Sequence, residues 1–184
     1  MIMENSRPKK ELRRYGIQRL SRERWATGQS VWEADHPGIP VTVDQLTVSR
    51  EKASVDIAKR LGITPGDHVC RRSRRYSVDG APVKLAVSYL PYAIVGGSRI
   101  MEVDTGGGGI YARLIVLGHE PVEFCEEVRG REPSPDEVKR FGFEKLPFVL
   151  AITRTAFTAH ERPVEVTEMV VNAEAYVLDY TFRA

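Results

Sequence analysis

The sequence predicts an α+β fold, a mostly antiparallel sheet with helices to the side. Two pairs of strand-like runs are each joined by a short turn, which makes hairpins. The helical segments between them are isolated rather than alternating with single strands, which argues against a doubly wound parallel sheet. The 184 residues are 42% hydrophobic, enough for one domain with a real core.

The elements follow in order. Residues 1–24 hold eight Lys/Arg against three Asp/Glu with little apolar periodicity, and read as a basic interdomain linker or arm, leaving residues 25–184 as the folded domain. The run VTVDQLTV from residue 41 alternates like a strand. ASVDIAKRLG then sets Val55, Ala58 and Leu61 on one helical face and stops at Gly62. DHVCRRSRRYSVDGAPVKLAVSYLP reads as two strands turning at Asp79-Gly80, with Val83, Leu85, Val87 and Tyr89 alternating on the return. EPVEFCEEV is a further strand. SPDEVKRFG opens with Ser134 as N-cap, Pro135 at the first helical position and Glu137 three residues on, a capping box. FVLAITRTAF and VEVTEMVV form a second hairpin across TAHERP, and YVLDYTF is a last strand. The two hairpins are alike: RRYSVDGAPVKL and RTAFTAHERPVEV both run basic residue, strand, turn, Pro-Val, strand, which points to a pseudo-repeated sheet.

Between the hairpins stands DTGGGGIYARL, residues 104–114. Glycine lets a ligand approach the main chain, and Tyr111, Leu114 and Ile115 fall at helical spacing after it. The amides of Gly108, Gly109 and Ile110 would then sit at a helix N-terminus, where anions bind. Taken alone, a glycine run is more often a mobile loop than a site. Neither GxxxxGK[ST] nor GxGxxG is present, which disfavours a nucleotide loop.

Catalytic chemistry finds little support. His36, His68, His119 and His160 are scattered without metal-ligand spacing, and Cys70 and Cys125 lie in separate strands without a CxxC, so no metal, disulfide or cofactor is expected. Glu126 and Glu127 point to opposite faces of one strand and cannot act as an acid/base couple. Ser88 is mid-strand, and no G-x-S-x-G elbow exists. What remains is a set of ligand-fixing groups: Arg74, Tyr76, the glycine run, Tyr111 and Glu165. The formal charge is +2 with the excess in residues 1–24, so the body is not a nucleic-acid surface by charge. No apolar run reaches membrane-spanning length and no secretory h-region opens the chain, which places it in the cytoplasm.

RLSRERW, IAKRLGITPGDHVCRRSRRYSVDGAPVKLAVSYLP, GGSRIMEVDTGGGGIYARLIVLGHEP and LAITRTAFTAHERPVEVTEMVVNAEAYVLDY, in that order, resemble the UTRA effector-binding domain of the HutC/FarR branch of GntR-family transcription regulators. The DTG-x-GG-IYARL run looks most like actinobacterial members. The resemblance implies a chorismate-lyase-like fold, a homodimer, and a small-molecule pocket controlling an N-terminal winged helix-turn-helix. There is no room for that DNA-binding domain before residue 25, so DNA contact is expected only through a domain outside this chain.

In relatives that sense amino-sugar phosphates, an R-x-R pair and a Ser-x-Tyr helix start hold the phosphate. By resemblance Arg74 matches the first arginine and Tyr76 replaces the second. Gly109 stands in for the serine, Tyr111 matches the tyrosine, Glu165 matches the sugar-contacting glutamate, Val171 replaces a tyrosine, and Ala86 sits where many members carry glutamate. Arg74, the Gly108-Gly109-Ile110 amides and Glu165 are expected to converge on a polar or anionic head group, with Tyr76 and Val171 beside a more apolar part. Two other readings are a chorismate-lyase-like enzyme and a stand-alone ligand-binding module.

Overall fold

The computed structural model describes residues 12–16, 20–28, 41–145 and 147–181. His36 and the arm's first basic residues, Arg7, Lys9 and Lys10, lie outside them.

The main sheet has six strands in the order β2-β3-β4-β7-β6-β5, every neighbour antiparallel. These are β2 (Val41–Lys52), β3 (His68–Val78), β4 (Ala81–Pro91), β5 (Glu123–Arg131), β6 (Val149–Phe157) and β7 (Pro163–Asn172). A small parallel pair, β1 (Leu12–Tyr15) and β8 (Tyr176–Asp179), flanks it. Both predicted hairpins are present. The β3–β4 turn has positive φ at Asp79 and Gly80, as a type I′ turn requires.

The likeness of the hairpins extends to a duplicated β-α-β-β unit. Helix α2 (Val55–Leu61) follows β2, and helix α5 (Pro135–Phe141) follows β5. Their sequences share S-x-D-x-x-K-R-x-G, at residues 54–62 and again at 134–142. Ser54 and Ser134 each cap their helix by accepting from an amide three residues on. Gly62 and Gly142 each end it in the left-handed conformation, with the next amide returning to Ala58 and Val138 respectively. The central pair β4–β7 relates the halves. Accordingly α2 packs on β7 of the other half and α5 on β4. The last-turn arginines also cross over, Arg60 to Glu127 on β5 and Arg140 to Gln45 on β2.

One prediction on α2 is corrected. Val55 stands in the first turn beside the cap and is exposed, and the buried face is Ile57, Ala58 and Leu61 against Val69 and Val166. On β4 the simple alternation also fails. The strand is central and covered on both faces, and an irregularity against Tyr76–Ser77 shifts its parity, so Ala86 and Ser88 are buried with Val83 and Leu85.

The sheet's other face is covered by the segment joining the halves: α3 (Tyr92–Val95), a 3-10 turn at Arg99–Met101, the glycine loop and α4 (Gly109–Val116). Helix α1 (Arg22–Ala26) packs against α4, burying Trp25 edge-on to Tyr111 at 5.0 Å between ring centroids. Residues 12–15, within the span read as a basic arm, are paired strand with Leu12 and Arg14 buried, while Arg13 and Tyr15 face out. Leu12 belongs to the core, and the charge of Arg14 is met by Glu126, which is why a basic segment can be internal.

Candidate functional site

Between the sheet and the glycine segment lies a half-open cavity of about 310 Å³, at the small end of the ~300–1,000 Å³ range of small-molecule sites. Six of the eight residues expected at a site line it: Arg74, Tyr76, Gly109, Ile110, Tyr111 and Glu165. Gly108 and Val171 do not.

The floor is set by strand register. Arg74 on β3 opposes Ala86 on β4, which opposes Met169 on β7, so these side chains share the cavity face. Nη2 of Arg74 donates to Oγ of Ser88 at 2.6 Å, and Ser88 pairs with Thr167 at 2.8 Å, a polar chain across three strands. Tyr76 forms part of the apolar wall, with the Lys84 ammonium 4.7 Å above its ring. The second apolar contribution comes from Met169 rather than Val171, which is two residues on and buried in the core below.

Glu165 is almost wholly buried, and its Oε2 accepts from the Tyr111 phenol at 2.7 Å. Arg154 Nη2 lies 3.9 Å from the same oxygen, and Arg154 Nη1 lies 4.0 Å from Oε1 of Glu126. The Arg154 guanidinium also sits 5.5 Å from the Tyr111 ring centroid and 5.9 Å from that of Phe124. Burial opposes its charge, but Tyr111, Glu165 and Glu126 outweigh that and hold its pKa above the ordinary value. Beyond Glu126, Arg14 makes a two-point ion pair that Tyr180 joins.

The glycine run resolves differently from the amide cradle expected. Gly108 N–H donates to the Gly28 carbonyl at 2.9 Å and Gly109 N–H to the Gly106 carbonyl at 3.2 Å, so two of the three amides are spent on the loop itself. A Cβ on Gly108 would stand 2.5 Å from the Trp25 carbonyl oxygen, which makes that glycine a requirement of close packing on α1. Gly109 and Ile110 reach the cavity as wall.

Sequence reading missed Arg72 and Arg154. Arg72, 2% exposed, donates to the carbonyls of Ile100, Glu102 and Val103, tying down the 3-10 turn that precedes the loop. Burial and neighbouring Arg74 pull its pKa below the ordinary value. The signal for Arg154 was the hairpin repeat: it occupies in β6 the place of Arg74 in β3, and Glu165 that of Lys84 in β4. Glu126 and Glu127 do face opposite ways, toward Arg14 and toward Arg60. Among the described residues no group of three His, Cys, Asp or Glu gathers to hold a metal.

Fold and cavity define a ligand-sensing domain of α+β type. The UTRA domain model matches residues 37–177, and the chain belongs to that family, the effector-binding domains of GntR-family transcription regulators. An uncharacterized HTH-type transcriptional regulator of Streptomyces coelicolor is 29% identical over 185 residues, covering 96% of this chain and 69% of that protein. A GntR-family transcriptional regulator of known structure superposes with TM-score 0.80 at 26% identity, over 97% of this chain and 71% of that one. PhnF from Mycobacterium smegmatis shares the fold at TM-score 0.76 and 17% identity, over 95% of this chain and 72% of that one.

Proposed function

We propose that the cavity holding Arg74, Tyr111 and Glu165 is the effector site, and that its occupancy alters operator binding by a homodimer of the whole regulator. The DNA-binding region of the regulator lies on the N-terminal side of β1, and the regulator works in the cytoplasm. The observation carrying this reading is the convergence of two independent polar chains, Arg74–Ser88–Thr167 and Tyr111–Glu165–Arg154, on one half-open cavity with an apolar remainder. These groups fix and orient a ligand, which supports sensing over turnover. Control through the dimer needs only that the ligand bind one domain arrangement better than another.

A thermal-shift screen of metabolites identifies the ligand. Arg74→Ala is then expected to weaken it by about 1.5–3 kcal/mol, the loss of a charged hydrogen bond. Unchanged affinity in that variant would remove Arg74 from the site. Light scattering that returns a monomer of 20.7 kDa would remove the dimer.

A further inference from the structure

Two arginines at the cavity keep side-chain nitrogens that make no hydrogen bond. Arg74 and Arg154 line the cavity together with the buried carboxylate of Glu165 and that of Asp104, while Lys84 rests over the Tyr76 ring and Arg72 is spent on three carbonyls. Arg154 is 7% exposed, yet its Nε and Nη1 make no hydrogen bond, and neither does Nε of Arg74. The carboxylates beside Arg154 stand at 3.9 and 4.0 Å, beyond hydrogen-bond reach, so they balance its charge without taking its donors. Buried guanidinium donors without partners are uncommon and costly. The Tyr111 and Phe124 rings lie beside the guanidinium, whose unbonded Nε and Nη1 are enclosed at the cavity's edge.

Resting on the effector-site reading above, we propose that the ligand is a small organic acid whose carboxylate is taken by Arg154 together with Arg74, its apolar body lying against Leu46, Ile110 and Met169. A carboxylate fits better than a phosphate ester. It brings one negative charge to Arg154 and Arg74, whereas a dianion meets about twice the repulsion from Glu165 in a low-dielectric site. Leu46, Ile110 and Met169, from β2, α4 and β7, give the lining an apolar share that rewards a hydrocarbon body.

The test is titration calorimetry of the purified chain with short-chain and aromatic carboxylic acids, each beside its isosteric primary amide, plus glucose 6-phosphate. Hexanoate with hexanamide and benzoate with benzamide are the first pairs. At least one acid is expected to bind, with its amide weaker by about tenfold or more. Arg154→Met should abolish that preference, and Arg154→Lys, which keeps the charge and guards against misfolding, should retain part of it. Ala86→Phe, which fills the cavity floor, should remove binding altogether. Amides binding as tightly as acids, glucose 6-phosphate binding more tightly than any acid, or no acid binding at all would each overturn the proposal. Acid binding that survives Ala86→Phe would instead overturn the effector-site reading itself.

Discussion

Arg14 on β1 and Glu126 on β5, 112 residues apart, form a two-point ion pair that ties the first described strand to the far edge of the main sheet. Their side chains are 3% and 9% exposed, so each charge depends on the other. Glu126 also faces Arg154, which makes this pair the near end of an ionic path from β1 to the cavity.

Breaking that pair from one side strands a buried charge. Arg14→Met is expected to cost about 3 kcal/mol or more in urea unfolding, and adding Glu126→Leu should recover only part of it, because Glu126 also supports buried Arg154. A single variant losing less than about 1 kcal/mol would mean the pair is hydrated like a surface one.

Gly108 and Gly109 separate strain from space. Both have positive φ, but a Cβ at Gly109 meets open space while one at Gly108 meets Trp25 and Ala112. Gly109→Ala should therefore cost about 1 kcal/mol, the left-handed penalty alone, and Gly108→Ala considerably more. Equal losses in denaturant titration would contradict the close packing of loop and α1.

Acid sensitivity should include Glu137. Two hydrogen bonds from Arg131, with Ser134 adding its amide, hold its carboxyl below the ordinary 4.5. Its folded pKa is depressed, so the stabilisation is fully present above 4.5 and is lost as pH falls below it. Glu137→Gln should lower stability at neutral pH by about 1 kcal/mol, limited by the exposure of Arg131, and flatten the acid limb. Asp44, also held low by Arg75, keeps part of that limb. Identical slopes below pH 4.5 would exclude Glu137.

The two thiols should react at different rates. Cys125 is exposed on β5, whereas Cys70 is fully buried and burial raises its pKa. A thiol reagent should modify one cysteine quickly in the native protein and the second only on unfolding. Two fast equivalents would show that the core around Cys70 opens readily.

Local chemistry was legible wherever one residue decides a conformation. The Ser134 capping box, the Asp79-Gly80 turn and the stop at Gly62 all follow from their own sequences. The grouping of Arg74, Tyr111 and Glu165, which line one cavity, came from the family resemblance and not from local sequence. What escaped depends on pairing across the chain. Arg14 looks like an arm residue until Glu126 is brought to it, and Arg154 like one more strand cation until β6 lies beside β7. The Gly108 amide seems available until α1 docks and Gly28 accepts from it. Val55 was misjudged because helical spacing cannot say which turn faces solvent.

The repeated unit makes the molecule two partners sewn into one chain. Arg74 enters the cavity from the first copy, Arg154 and Glu165 from the second, and the stitch between them is residues 92–122. A molecule seated there bridges both copies, as a shared ligand does at a subunit boundary.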